Sequence, residues 1–189
     1  MGMPDRTHFN FETKVRRAFA FLEELGFAEI EALPTLVRYR KEGIEVDVYH
    51  GRQSYEVGAG VTAFGARYPI SAIIRATDSQ AFKQFRYATV STSEGVTSAL
   101  EELSSLMKRY GTAALRGTPK FFSMLEEQQK LWSEEYALDV LARQLWTQAD
   151  EAFRRGDYSM AADLYARIRA RLSPAEVKKL ALAEERCKR

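Results

Sequence analysis

Glu45, Asp47 and Glu56 stand at alternating positions of two neighbouring stretches, IEVDVYH and SYEVGAGV. A pleated backbone would place all three carboxylates on one face. Two carboxylates held close can serve as general acid and general base, and His50 beside Tyr49 adds a candidate base. Arg38 and Arg40 of TLVRYR belong to the same face, however. Interleaved opposite charges on adjacent strands are how a solvated antiparallel sheet neutralises itself, so structural pairing is the expectation. His50 has no Ser, Cys or Asp partner indicated by spacing, and a histidine at a hairpin end is expected at the surface or in the turn. No catalytic residue is assigned.

Three other stretches bear on binding. GAGVTA, Gly58 to Ala63, satisfies the letter of the dinucleotide fingerprint, with Asp78 downstream. That fingerprint must open a helix inside a βαβ unit. Here FGARYP follows and interrupts any helix, so Gly58 and Gly60 are read as a bulge or a close approach by the first helix. FKQFRY, Phe82 to Tyr87, interleaves aromatics with Lys83 and Arg86, a composition that stacks bases and holds phosphates. Core aromatics with snorkelling cations account for it more simply. In the tail, Arg167 and Arg171 are read on one helical face, with Lys178 and Lys179 nearby, as a partner- or anion-binding footprint.

Charge supports attention to that tail. Arg154 to Arg189 carries ten Lys or Arg against five Asp or Glu, a net +5, whereas the rest carries 18 against 21, a net −3. Such a segment attracts nucleic acid, anionic lipid or an acidic protein, or is simply a solvated helical surface. Cys187 is the only cysteine, which excludes an internal disulfide and suits a reducing cytoplasm. With only His8 and His50 beside it, a zinc site lacks ligand spacing, and neither metal nor cofactor is expected. MGMPDRTHFNFETK has no signal-peptide apolar region, and Arg6 stands where myristoylation requires Ser or Thr. No apolar run approaches the roughly 20 residues of a membrane span. A cytoplasmic protein without a membrane role is expected.

These residues must be carried by recognisable elements. Phe11, Val15, Ala18, Phe19, Leu22 and Leu25 recur at three- and four-residue steps, predicting one helix from Asn10 to Leu25 that ends at Gly26. The period then falls to two. Val37 and Tyr39, then Ile44, Val46 and Val48, then Tyr55, Val57, Ala59 and Val61 form three apolar rows. Short connectors, Lys41 to Gly43 and Gly51 to Gln53, join them into an antiparallel meander with one face against the first helix. FAEIEA adds an edge strand. YPISAIIRATD reads as a short helix with Pro69 at its first position. Residues 79–92 carry no decisive pattern. EGVTSALEELSSLMKRYG is helical, with Val96, Leu100, Leu103, Met107 and Tyr110 on one stripe and Gly111 closing it.

LRGTPK marks a boundary, since Thr118 and Pro119 suit a helix start. Phe121, Leu125, Leu131, Trp132, Tyr136, Val140, Leu141 and Leu145 then predict one long helix, or two broken at Ser133. Ser173, Pro174 and Glu176 form a capping box for the last helix. Between them lies RRGDYSMAADLY, in which Arg155-Gly156-Asp157 spells an adhesion tripeptide. Small residues at Ala149, Ala152 and Ala161 allow two antiparallel helices to approach, Gly156 permits the corner and Tyr158 packs across it. Met160 and Tyr165 are read as packing residues. The spacing of Leu145, Ala149, Ala152, Gly156, Tyr158, Ala161 and Tyr165 resembles one tetratricopeptide-repeat hairpin, over about Leu141 to Pro174. Gln148, Arg169, Arg171 and Pro174 depart from the family pattern, and there is no second copy, whereas about three repeats make a solenoid. The resemblance implies a helical hairpin but not the family's peptide groove; a microtubule-interacting-and-transport hairpin is similar at this level.

The chain is therefore expected to be α+β, with an antiparallel meander domain over 1–116 and a helical hairpin or bundle over 117–189. The expected function is a non-enzymatic protein-interaction module, immunity- or antitoxin-like or self-associating as a homodimer. The alternatives are nucleic-acid binding through the basic C-terminal helices, and a small-ligand binder or enzyme using the outer sheet face.

Overall fold

In the computed structural model, residues 9–187 are described. Residues 1–8 of the stretch read for targeting signals, His8 among them, together with Lys188 and Arg189, lie outside them. The chain is α+β and divides into two compact units, residues up to Gln128 and residues from Gln129 onward. Both residues lie within one helix, α7 (Pro119–Arg155), so the division falls further along the chain than Arg116.

The first unit is built on β1 (Ala28–Leu33), β2 (Leu36–Lys41), β3 (Ile44–His50), β4 (Glu56–Ala63) and β5 (Ala66–Pro69), antiparallel in that order. A two-residue strand, β6 (Ala88–Thr89), pairs with the start of β4, as β5 pairs with its end. Of the apolar rows, Val37, Tyr39, Val46, Val48, Val57, Ala59 and Val61 are buried, whereas Ile44 is only partly buried and Tyr55, at φ 55°, lies in the loop before β4 and is partly buried. Such rows leave water only if another element covers them. α1 (Phe11–Ala18), α3 (Ile70–Thr77) and α5 (Ser93–Tyr110) supply Phe11 and Val15, Ile73 and Ile74, and Val96, Leu100 and Met107 to that same core.

Several elements depart from their sequence reading for identifiable reasons. The first helix breaks after Ala18 and resumes as α2 (Phe21–Glu24). The Ala18 carbonyl, outside the usual ladder at this break, accepts a bond of 2.5 Å from the buried Ser104 hydroxyl of α5. The kink keeps Phe19 and Leu22 in the core but turns Leu25 outward. β5 was not visible in the pattern because its hairpin turn, Phe64-Gly65, has both residues at positive φ, 52° and 81°, and only the glycine advertises it. Pro69 consequently ends β5 and caps α3 in an extended conformation, rather than opening the helix. Gly51 to Gln53 is part of a longer loop reaching Tyr55. Gly111 closes α5 as its C-cap, but in a right-handed conformation that leads directly into α6 (Thr112–Leu115). The undecided 79–92 stretch is a short helix, α4 (Ser79–Gln84), followed by β6.

The second unit contains α7 from Gln129 on, α8 (Tyr158–Arg167), a 3-10 turn (Arg169–Arg171) and α9 (Pro174–Cys187). α7 continues through Ser133 without a break. Ser104→Ala should lower the stability of the first unit by about 1–2 kcal/mol, because it leaves a partly buried carbonyl without its donor. Urea unfolding followed through the sheet amides by NMR checks this; a loss too small to measure would show that the kink holds without the bond.

Candidate interaction surface

The carboxylates proposed for chemistry are each engaged by a neighbour. Arg40 meets Glu45 at 2.6 Å across directly opposed positions of β2 and β3. Arg38 turns to Glu31 at 3.1 Å, and Asp47 instead takes a two-pronged contact from Arg67 at 2.9 and 2.6 Å. Glu56 accepts from the Tyr49 hydroxyl at 2.7 Å; burial first and this bond second push the Tyr49 hydroxyl pKa upward. Arg16 clamps Glu29 from the helical side with two 2.8 Å bonds, which hold that carboxyl below its ordinary range.

The two glycines of GAGVTA owe their place to this same face. A Cβ on Gly58 would lie 2.4 Å from the Tyr49 ring, and one on Gly60 would lie 2.7 Å from the Arg67 guanidinium. The close approach comes from side chains of the sheet and not from the first helix. His50 is also placed differently from its reading. It is only 1% exposed. Its ring lies 6.0 Å from Phe11 in a stacked arrangement and meets Phe9 and Tyr55 edge-on, while Nε2 donates to the Val90 carbonyl at 2.9 Å. A hairpin-end histidine is buried here among Phe9, Phe11 and Tyr55, with the carbonyl of Val90, just after β6, as its acceptor. In FKQFRY, Arg75 of α3 stacks on Phe82 at 4.3 Å, Phe85 meets Tyr87 edge-on, and Tyr87 donates to Ser71. These aromatics serve packing.

In the second unit, Arg155-Gly156-Asp157 is the corner between α7 and α8. Gly156 has φ +78°, and the Asp157 carboxylate accepts from the Met160 amide as an N-cap. Tyr158 packs on Phe153 edge-on, and Leu145, Ala149, Ala152, Ala161, Leu164 and Tyr165 form a separate core with Leu180 and Ala183 of α9. Met160, read as a packing residue, is exposed. Ser173 and Glu176 exchange the capping-box bonds that start α9.

One polar cluster ties these helices together. Asp150 of α7 accepts from Lys179 of α9 at 2.5 Å, from the Tyr165 hydroxyl of α8 at 2.6 Å and from Arg154 at 3.3 Å. The bonds from Lys179 and then Tyr165 lower the Asp150 carboxyl to about 2. The four cations of the predicted footprint are thus dispersed. Lys179 is committed to Asp150, and Arg171 pairs with Asp139 at 2.6 Å. Arg167 is the last residue of α8 while Arg171 sits in the 3-10 turn, so the two do not share one helical face; Arg167 and Lys178 are exposed.

What periodicity did not reveal is that α7 leaves large apolar residues exposed on two of its faces. Leu131, Tyr136 and Leu138, expected or available for packing, are 62%, 69% and 43% exposed, and Trp132 is also exposed. Residues seven apart share a helical face. Leu131 and Leu138 therefore continue the face that carries Leu145 into the second core, beyond the reach of α8. Beside that core, an open groove of about 560 Å³ is lined by Ala142, Trp146, Ile168 and Leu172, with Arg143, Arg171 and Glu176 as its charged residues. Trp146 is half exposed there. A one-sided helical period cannot say whether its apolar residues are covered within the chain or outside it.

Asp150 generates a pH prediction. A carboxyl whose folded value lies below its unfolded value stabilises the fold above the unfolded value, and that contribution is lost as pH falls through the folded one. Both tryptophans of the chain, Trp132 and Trp146, lie on α7 in this unit, so their fluorescence reports its unfolding. Asp150→Asn should cost on the order of 1 kcal/mol at neutral pH, allowing for the partial solvent screening of its partners. The gap between wild type and variant should close as pH falls from about 5 toward 2. A gap that stays constant would remove Asp150 as the tie.

Comparison with protein-family models, with curated proteins and with solved structures returns no match for this chain.

Proposed function

We propose that this chain is a protein-interaction module whose working surface lies on the second unit, and that its partner is a second copy of itself. The exposed apolar residues of α7 carry this reading: Leu131 and Leu138, seven apart, share one face, and Trp132 and Tyr136, four apart, share another. Water contact with several large apolar side chains on one helix is unfavourable by about 25 cal/mol for each Å² that association would cover. Groups of this kind mark association sites more often than scattered single residues do.

Charge selects the second copy as occupant. Leu131 and Leu138 are flanked by Glu134 and Glu135, whereas Arg143 lines the groove beside Trp146; Arg171 there is already paired with Asp139, and Glu176 also lines the groove. Glu134 and Glu135 beside the apolar face of one chain complement Arg143 at the groove of another. Two antiparallel copies of α7 can make this exchange reciprocally, which closes the assembly with two-fold symmetry. The tetratricopeptide-like character of the hairpin, in this reading, supplies a rigid groove wall and not a family peptide site. A non-enzymatic role is favoured by the pairing of Glu45, Asp47 and Glu56 with Arg40, Arg67 and Tyr49, since such partners quench the reactivity of a carboxylate.

Light scattering on the eluting protein tests the proposal. The expected mass is twice the 21.5 kDa chain, 43 kDa, falling to the monomer value for Tyr136→Ala combined with Leu138→Glu. Arg143→Glu should weaken association by about tenfold or more, and mixing it with Glu135→Arg should restore a heterodimer. A wild-type monomer at about 100 μM, well above ordinary dimer affinities, would overturn self-association.

A further inference from the structure

The first unit holds a second concavity, distinct from the surface just described. A cleft of about 280 Å³ opens where the end of β2, the last turn of α5 and the end of α6 meet α2. Its walls are Phe21, Leu25 and Leu115, and its cations are Lys41, Lys108 and Arg116. The lysine stems are held in place. Lys41 donates to the Leu25 carbonyl at 2.7 Å, and the Lys108 ammonium stands 4.9 Å from the centre of the Phe21 ring.

The charge balance here differs from that of the sheet face. Arg16, Arg38, Arg40 and Arg67 each meet a carboxylate within 3.1 Å. Among the described residues, no carboxylate comes within ion-pair distance of Lys41, Lys108 or Arg116. The negative end of α5 engages Lys108 and the Leu25 carbonyl at the end of α2 engages Lys41, but neither helix end supplies a full countercharge. Glu24 is the single acid lining it, leaving a net charge of +2. Three cations converging on an apolar floor form a site for a group that is itself part apolar and part anionic. A fully hydrated inorganic anion would gain nothing from Phe21, Leu25 and Leu115. A neutral apolar molecule would leave the cations unmatched.

We propose that this cleft binds a small organic carboxylate with a compact aromatic or aliphatic body. The carboxylate lies between Lys108 and Arg116, whose planar guanidinium suits a two-oxygen contact, and the body rests on Phe21, Leu25 and Leu115. The volume is at the small end of ordinary ligand pockets, which limits the ligand to about one or two rings.

The test uses the full chain, with 2-naphthoate as probe and 2-naphthalenemethanol as its neutral counterpart, followed by amide shifts in NMR. Shifts are expected at residues 21–25, 41 and 108–116, with saturation at about 1 mM or tighter and about tenfold weaker binding of the alcohol. Lys108→Gln with Arg116→Gln should weaken naphthoate about tenfold more than the alcohol, and Glu24→Gln should strengthen it. All three positions are exposed, and an unchanged thermal midpoint verifies that the variants fold. Absence of saturable shifts to the probe's solubility limit would overturn the proposal. So would shifts confined to the second unit, or equal binding of acid and alcohol.

Discussion

Removal of one sheet face from water is the constraint on which the first unit depends. Val37, Tyr39, Val46, Val48, Val57, Ala59 and Val61 line that face, and burying them requires helices with matching apolar stripes. α1, α3 and α5 provide those stripes, and every irregularity nearby can be traced to fitting them. The kink after Ala18 lets Phe19 and Leu22 reach the core together, and Ser104 supplies the hydrogen bond that the kink removes. Tyr39 contributes bulk at the cost of burying its hydroxyl, and that burial raises its pKa to about 12.

The opposite face obeys a different rule. Water reaches it, so charged side chains are tolerated, and strand register then decides which charges meet. Arg40 faces Glu45 directly, while Arg67 reaches from β5 across Gly60 to Asp47. The glycines leave room for Tyr49 and Arg67 to lie flat on the sheet, within 5.6 Å of one another as a cation and a ring. The result is a surface on which the carboxylates are held as acceptors by neighbouring donors.

The second unit solves its packing problem with small residues. Ala149, Ala152 and Ala161 allow α7 and α8 to approach, and Asp150, Tyr165 and Lys179 tie α9 to the pair through one carboxylate. This core is short compared with the helix that enters it. The face of Leu145 continues on Leu131 and Leu138 with nothing from α8 or α9 to cover it, and this mismatch in length gives the unit its apolar surface.

Much of this architecture was legible in residue order. Alternation identified β2, β3 and β4. Three- and four-residue spacing identified α3 and α5, and Gly156 with Asp157 marked the corner of the hairpin. Those features are local: pleat, helical pitch and glycine's access to positive φ act within a few residues. Tertiary structure alone decided the rest. It split the first helix, buried His50 among aromatic rings, committed Lys179 and Arg171 to carboxylates, and left Leu131 and Tyr136 exposed. It also drew Lys41, Lys108 and Arg116 to one cleft from three separate elements. Each of these outcomes depends on which distant segments come to lie beside a residue. Local spacing specifies what face a side chain occupies, whereas only the folded chain determines what that face meets.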